Sequence, residues 1–358
     1  MTTSMDRPKP VVHGVQCPMP QSQHERVQLG HGSGGRMSLE LLRDCFLPHF
    51  ANDVLARLGD AATVDMPSGQ VAISTDTFVV QPLEFPGGNI GSLAVHGTLN
   101  DIAMMGARPR YLTAGFVLEE GLHLDVLDRI LSAMARASRE AGVLVVAGDT
   151  KVAERGKADG IFVNTTGVGE MTPGFMPAPH RAQAGDTVIV SGPVGRHGIA
   201  VMAARNELGF EAEIESDSAN LSPLVNRLGS AVGDSVHVLR DPTRGGLASA
   251  LNEIATSSRV GIELDEAQIP VPGAVSAACE MLGLDPLYVA SEGVLVAIVD
   301  PAAATSAVAT MQTEPLGERT TVIGKVVTEH AGLVTLKTGL GVERVIDMIP
   351  GDQLPRIC

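Results

Sequence analysis

The chain ends on a thiol: Leu354-Pro355-Arg356-Ile357-Cys358 has nothing after its cysteine. A thiol on a free end can be carried from one active site to another. Pro355 disfavours a helix running to the terminus, so the tail is expected to be extended. Taken alone, a terminal cysteine is more often incidental, because chain ends tolerate change. It is not a prenylation signal, which needs the cysteine four residues from the end. The rest of the sequence decides its meaning.

Acidic residues recur where catalytic groups are usually placed, at the expected ends of elements. They are Asp60, Asp76, Asn100 with Asp101, Asp149 and Asp241. Magnesium takes oxygen ligands and bridges carboxylates to phosphates, so Asp60, Asp76, Asp101, Asp149 and Asp241 form a candidate metal set. Each of them alone could equally be a turn residue or a helix cap. Lys151 follows Gly148-Asp149-Thr150 and could meet a phosphate as a point charge. In Asp241-Pro242-Thr243-Arg244-Gly245-Gly246, the glycines let backbone N–H groups approach an anion at a helix start, and Arg244 can fork onto phosphate oxygens. Glu292 precedes an apolar strand, where a partly desolvated carboxylate can serve as a base. Gly192-Pro193-Val194-Gly195-Arg196-His197-Gly198 has the wrong spacing for a dinucleotide loop and reads as a strand-to-helix turn. Together, these residues suggest an enzyme that uses a magnesium nucleotide to change a group on its own tail.

The elements that must position these groups follow a mixed α/β pattern in both halves. Gly30-His31-Gly32-Ser33-Gly34-Gly35 is a glycine-rich turn before a helix bearing Leu39, Leu42 and Phe46, with Ser38 a plausible N-cap. A strand over 71–75 leads into Asp76. Apolar spacing predicts helices over 91–106 and 124–140, the first stopped by Pro109. The strand 143–146 is expected to end at Gly148–Lys151. Residues 177–185 read as a junction, after which strands are expected at 187–191, 294–299, 321–327 and 333–336, with helices from about 199 and over 246–257. Residues 1–25 carry Pro8, Pro10, Pro18 and Pro20 with few apolar positions and read as a disordered leader.

With 358 residues, two domains are the natural expectation. The net charge of −15 argues against nucleic acid or an anionic membrane as a main partner. No apolar run reaches transmembrane length, and the N-terminus lacks a signal-peptide core. None of Cys17, Cys45, Cys279 and Cys358 are paired as CxxC, so a reducing cytoplasmic setting with free thiols is expected.

The segments His31–Gly35, Ser74–Phe78, Asn100–Ala107, Gly148–Lys151, Asp241–Gly246 and the Pro355-Arg356-Ile357-Cys358 tail resemble the HypE family of hydrogenase-maturation carbamoyl dehydratases. That family lies among the aminoimidazole ribonucleotide synthetase-like ATP enzymes. The likeness runs from about residue 26 to the end; the glycine and aspartate motifs belong to the superfamily, and the tail distinguishes this branch.

The resemblance implies a two-domain α/β fold: an ATP-binding and dimerisation domain over 26–178, a C-terminal α/β domain over 179–348 and a mobile tail over 349–358. It implies that ATP and magnesium bind near the homodimer interface, on His31, Gly32, Gly34, Gly35, Thr75, Asp76, Asn100, Asp101, Asp149, Thr150, Asp241, Thr243, Arg244, Gly245 and Gly246. Cys358 would receive a carbamoyl group from the carbamoyltransferase HypF, and ATP-dependent dehydration would convert it to a thiocyanate, with Glu292 as base and Lys151 on phosphate. The cyano group would pass to iron on a HypC–HypD scaffold, as a ligand for a [NiFe] hydrogenase. Two other readings stand beside it. One is a selenophosphate synthetase, although the glycine-rich loop here carries His31 and no cysteine. The other is a non-catalytic nucleotide-sensing adaptor whose tail only docks partners.

Overall fold

The computed structural model describes residues 25–33, 36–57, 61–66, 69–205, 214–348, 354 and 356–358. Residues 1–24 of the expected leader, Gly34, Gly35 and Asp60 lie outside these residues.

The first half is a four-stranded sheet with helices on one face. Its strands are β1 (Val71–Phe78), β2 (Ala107–Glu119), β3 (Leu144–Ala153) and β4 (Ile161–Met171). They lie in the order β1-β4-β2-β3, antiparallel except for the β2–β3 pair. Helices α1 (Ile90–Met104) and α2 (Leu124–Glu140) cover one face. The Asn89 side chain accepts from the Gly91 and Ser92 N–H groups, and Ser92 Oγ accepts from the Asn89 N–H, so a reciprocal cap fixes where α1 begins. Gly106, at φ +74°, turns the chain out of α1. Helix α2 is amphipathic and buries Leu127, Ile130, Leu131 and Met134. Helix α1 is buried nearly all round, because the second half packs on its far side.

The other face of this sheet is open. Thr77, Asn164, Gly115 and Asp149 lie in register across all four strands. Ile73 is 67% exposed on this face, and Val71 and Val117 are exposed with it. Strand residues alternate faces, so Ser74, Asp76 and Phe78 point beneath the sheet towards α1. The strand containing Lys151 runs through Ala153, so Gly148–Lys151 lies inside β3 and not in a loop after it.

The second half is a seven-stranded sheet made of β5 (Thr187–Val190), β6 (Val236–Arg240), β7 (Gly261–Asp265), β8 (Val296–Val299), β9 (Thr321–Val327), β10 (Val334–Lys337) and β11 (Glu343–Ile346). The order is β11-β10-β7-β9-β5-β8-β6, with only β10–β7 parallel. Helices α3 (Arg196–Ala204), α4 (Ser222–Val232), α5 (Gly246–Ser258), α6 (Gly273–Leu282) and α7 (Ala304–Met311) complete it. The expected two-part mixed α/β architecture is therefore present. Val188, Val190, Val296 and Ile298 face one apolar cluster; Ile189, Ala297 and Val299 face another, as expected for strands buried on both sides.

A third apolar cluster joins the halves. Leu93 and Leu99 of α1, Ile199, Ala200 and Val201 of α3, and Leu354 and Ile357 of the tail all belong to it. Burying each of these two tail side chains contributes on the order of 2 kcal/mol.

The turn into α5 depends on Gly246. Its φ is +62°, and a Cβ there would lie 2.5 Å from the Leu287 carbonyl oxygen. A Gly246→Ala variant should lose at least about 2 kcal/mol of stability, seen as a lower melting temperature by calorimetry. An unchanged melting temperature would show that this turn is not constrained.

Candidate active site around the last residue

Asp76, on the covered face of β1, is met by α1. Asp101 sits on α1 and accepts a 2.6 Å hydrogen bond from Ser74 Oγ. One turn earlier, Gly97 leaves room: a Cβ there would press on Phe78 at 2.8 Å and stand 3.6 Å from Asp76 Oδ2. From the other half, Asp241 follows β6 in a tight turn, in which the Asp241 carbonyl accepts from the Thr243 N–H (3.0 Å) and the Thr243 carbonyl from the Gly246 N–H (2.8 Å). Glu292 lies in a bend just before β8. Its N–H donates to Asp217 Oδ1 (3.1 Å), and its carbonyl accepts from Asn100 Nδ2 (3.3 Å). Asp76, Asp101, Asp241, Thr243, Arg244, Glu292 and Cys358 line one cavity of about 210 Å³. A wider, open cavity of about 890 Å³ shares Asp101, Asp241 and Thr243 with it.

The tail is docked into this site. The Cys358 carbonyl accepts from the Val79 N–H (3.3 Å) and the Arg356 carbonyl from the Gln81 N–H (3.1 Å), as an added antiparallel strand would. The Ile357 carbonyl is bound by His197 Nε2 at 2.6 Å, and Arg205 Nη2 donates to the Arg356 carbonyl at 2.7 Å. Arg356 pairs with Asp159 and has φ +56°, a left-handed conformation that turns the last two residues inward.

Crowded carboxylates in a buried site cannot all stay ionised. Burial and then the Asp101 charge raise the proton affinity of Asp76. Burial raises Asp101 too, against the Ser74 hydrogen bond and the Arg240 charge. Asp241 is raised by burial and by Asp101. Glu292 is raised furthest, by burial and then by Asp241, Asp217, Asp76 and Asp101, and its Oε1 has no partner. Burial, and next Glu292, push the Cys358 thiol up to about 12, although Arg244 Nη2 lies 3.7 Å from Sγ. A free thiol seated here is therefore protonated at neutral pH. Among the described residues, no three His, Cys, Asp or Glu side chains converge as a ready-made ion site.

The remaining expected site residues fall elsewhere. His31, Gly32, Asp149, Thr150 and Lys151 border a separate cavity of about 340 Å³, walled by Leu41, Phe46 and Phe116. Lys151 Nζ is paired with Asp149 at 2.6 Å in an exposed ion pair. Its strand, β3, is the sheet edge opposite β1, about 14 Å away at normal strand spacing. One chain thus does not bring Lys151 to Cys358. Thr75 bonds Thr166 Oγ1 at 2.8 Å on the open face, away from the carboxylates. Asn100 is fully buried and ties α1 to the Ala219 carbonyl, the Leu221 N–H and the Glu292 carbonyl. Glycines 245 and 246 shape the helix entry, both at positive φ. Gly97, Asp217 and Arg205 escaped the sequence reading; Ser74 and His197 stood in flagged motifs, Ser74–Phe78 and Gly192–Gly198, with no role given to them.

The chain as a whole has known relatives. The AIR synthase related protein families match it over two stretches, the N-terminal domain family at residues 58–171 and the C-terminal domain family at 183–337. The chain is 51% identical to the carbamoyl dehydratase HypE of Bradyrhizobium diazoefficiens over 93% of its own length and 96% of that protein's. It is 44% identical to the Escherichia coli K12 HypE, over 93% of this chain and 99% of the other. A crystal structure of the hydrogenase maturation protein HypE in complex with ATP superposes with a TM-score of 0.89 at 48% identity, covering 92% of this chain and 99% of that one. A HypE–HypF complex gives 0.76 at 44% identity, over 86% and 99%.

The buried acids set a pH dependence. Burial lifts the Asp217 carboxyl to about 6, and its Oδ2 has no partner. The folded chain thus holds a proton that the unfolded chain releases from about pH 4 upward. Stability on account of Asp217 falls as pH rises between about 4 and 6, by about 3 kcal/mol. Asp217→Asn keeps an acceptor for the Glu292 N–H and should flatten that fall in urea unfolding. Asp241 and Glu292 act in the same sense, so part of the slope should persist. An Asp217→Asn slope identical to the wild type would show that Asp217 does not titrate in this window.

Proposed function

We infer the chemistry from the premise that this chain belongs to the AIR synthase related family and, within it, to the HypE carbamoyl dehydratases. It is an ATP-dependent enzyme of hydrogenase maturation that dehydrates an S-carbamoyl group to a thiocyanate. The observation that carries this reading to particular residues is the seating of Cys358 among Asp76, Asp101, Asp241, Arg244 and Glu292.

The carbamoyl oxygen is a poor leaving group. Phosphorylated by ATP, it departs as phosphate and leaves ADP. The carbon gains a triple bond to nitrogen, and two protons leave the amide. The site must hold that oxygen in line with the γ-phosphorus and balance the charge that develops. Arg244, beside Sγ, is placed to bind phosphoryl oxygens. Glu292 lines this cavity and has one buried carboxyl oxygen without a partner, which makes it the candidate to accept an amide proton.

Its raised proton affinity has two sources, burial and neighbouring carboxylates. The second disappears when those carboxylates are neutralised, which brings Glu292 towards the range of a working base. Carboxylate oxygens suit magnesium; Asp76, Asp101 and Asp241 line this site without converging as a ready-made ion site, so they would hold the ion only together with phosphate oxygens. Magnesium there would supply positive charge to the reacting phosphate. Asp149 is instead held by Lys151 and the Thr150 N–H.

The active unit in this reading is a homodimer. Both edges of the four-stranded sheet, β1 and β3, are unpaired among the described residues, and its open face carries exposed apolar side chains. Such edges call for cover. Closing two sheets into one barrel would set β3 of one copy beside β1 of the other, bringing Lys151 of the partner subunit towards the Cys358 site and ATP between the two. The carbamoyl donor in this reading is HypF, and the cyano group goes to iron on a HypC–HypD scaffold. A tail of about ten residues spans up to roughly 30 Å, enough for one thiol to visit each site. No helix among the described residues is long and apolar enough to cross a membrane; a reducing cytoplasm would keep Cys45, Cys279 and Cys358 as the free thiols they are here.

Intact-mass analysis after incubation with HypF, carbamoyl phosphate and ATP should show one carbamoyl group on Cys358, then loss of one water with magnesium-ATP. Glu292→Gln should take up the carbamoyl group and bind ATP, yet lose water at least about a hundredfold more slowly. Dehydration at the wild-type rate removes Glu292 from the role of base. Subunit mixing tests the dimer. Lys151→Ala and Cys358→Ser chains should each be inactive alone and regain turnover when mixed, because one of the two sites then has both residues. No recovery in confirmed heterodimers rules out Lys151 acting across subunits.

A further inference from the structure

His197 is fully buried, and its contacts fix which nitrogen carries hydrogen. The Ile357 carbonyl can only accept, so Nε2–H is the donor at 2.6 Å. Burial pushes the imidazole pKa down to about 4, so the ring is neutral and Nδ1 accepts from Ser216 Oγ–H at 2.8 Å. Ser216 Oγ in turn accepts from the Ser218 N–H at 3.0 Å. The ring stacks edge-on against Phe85, with centroids 5.5 Å apart, which limits its rotation. Arg205 makes a second hold: Nη2 donates to the Arg356 carbonyl and Nε to the Gln81 carbonyl, both at 2.7 Å. Arg205 thus staples the tail to the segment after β1. Gly198 lets Leu354 come close, since a Cβ there would lie 3.2 Å from Leu354 Cδ1.

We propose that His197 and Arg205 form a latch that seats the tail by its main-chain carbonyls, making them positioning residues for the reaction at Cys358. A latch on the backbone ignores what the sulfur carries. It holds the free thiol, the carbamoyl form and the thiocyanate alike, so seating is set by these two side chains and not by the stage of the chemistry. The latch also adjoins the proposed base: Ser216 orients His197, and the next residue, Asp217, holds the Glu292 N–H. The consequence for turnover rests on the dehydratase reading above; the seating itself does not.

The test uses the full-length protein and iodoacetamide, with alkylation of Cys358 followed by peptide mass. The seated thiol is half-buried and protonated, so faster alkylation reports a larger fraction of time with the tail out. His197→Phe keeps the bulk and removes the donor; it should speed alkylation of Cys358 about tenfold, the weight of one buried hydrogen bond. His197→Gln, which can still donate an N–H, should restore much of the slow rate. Arg205→Met, on a more exposed side chain, should speed alkylation several-fold and guards against misfolding of the first variant. In both His197→Phe and Arg205→Met, single-turnover water loss from the carbamoyl form should slow, while carbamoyl uptake from the transferase and ATP binding hold. Alkylation at the wild-type rate in both variants overturns the latch. Because alkylation needs no turnover, it decides the latch even for a protein that makes no thiocyanate.

Discussion

Burying several carboxylates beside a thiol in one cavity is costly, and much of the structure answers that cost. Asp76, Asp101, Asp241 and Glu292 repel one another in a site with little water to screen them, and each is driven towards its protonated form. The chain offsets part of this with the Ser74 hydroxyl, the Thr77 N–H and the charges of Arg240 and Arg244. The remainder is a demand for positive charge that a cation and its nucleotide would meet. Neither half of the chain could hold such a cluster alone. Asp76 and Asp101 come from the first half, Asp241 and Glu292 from the second, and the buried helix α1 with its Asn100 tie keeps the two sets in place.

The same constraint explains the tail. A thiol held at a pKa of about 12 is a poor nucleophile, so the docked position suits a group already carried on sulfur better than the loading of that group. Docking draws on apolar burial of Leu354 and Ile357 and on carbonyl contacts, none of which involves the sulfur. The arrangement keeps reaction and transport separable. In the proposed function, the carboxylates would do their work when the tail is in, and the partners would be met when it is out. The remote Lys151 would add a second separation in the proposed dimer, where its strand edge would approach this cavity from another copy.

Much of this was legible in the sequence, for physical reasons. Helix α2 and the paired motifs at Asp76, Asp101 and Asp241 stood out because apolar spacing and glycine-flanked acids are local signals. Strands β2, β4, β6, β7 and β11 were missed. Strand β2 was hidden by Pro109, read as a helix stop although it sits within the strand, and β4 by its threonines and glycines. Gly148–Lys151 looked like a loop because glycine and aspartate favour turns, yet pairing with β2 keeps it extended. His197 was set aside with its turn, since a buried histidine has no periodic signature and its partner lies 160 residues away. Glu292 was placed before a strand; its full burial comes only from packing against Asp217 and α1.

The most direct test follows the carbamoyl oxygen. Protein carrying oxygen-18 in the carbamoyl group on Cys358 would be given magnesium-ATP for one turnover, and the inorganic phosphate would be analysed by mass. Attack of that oxygen on the γ-phosphorus predicts one labelled oxygen in each phosphate released with thiocyanate. Unlabelled phosphate, with the label recovered in water, would contradict the account, because ATP would then be hydrolysed beside the dehydration and not through it.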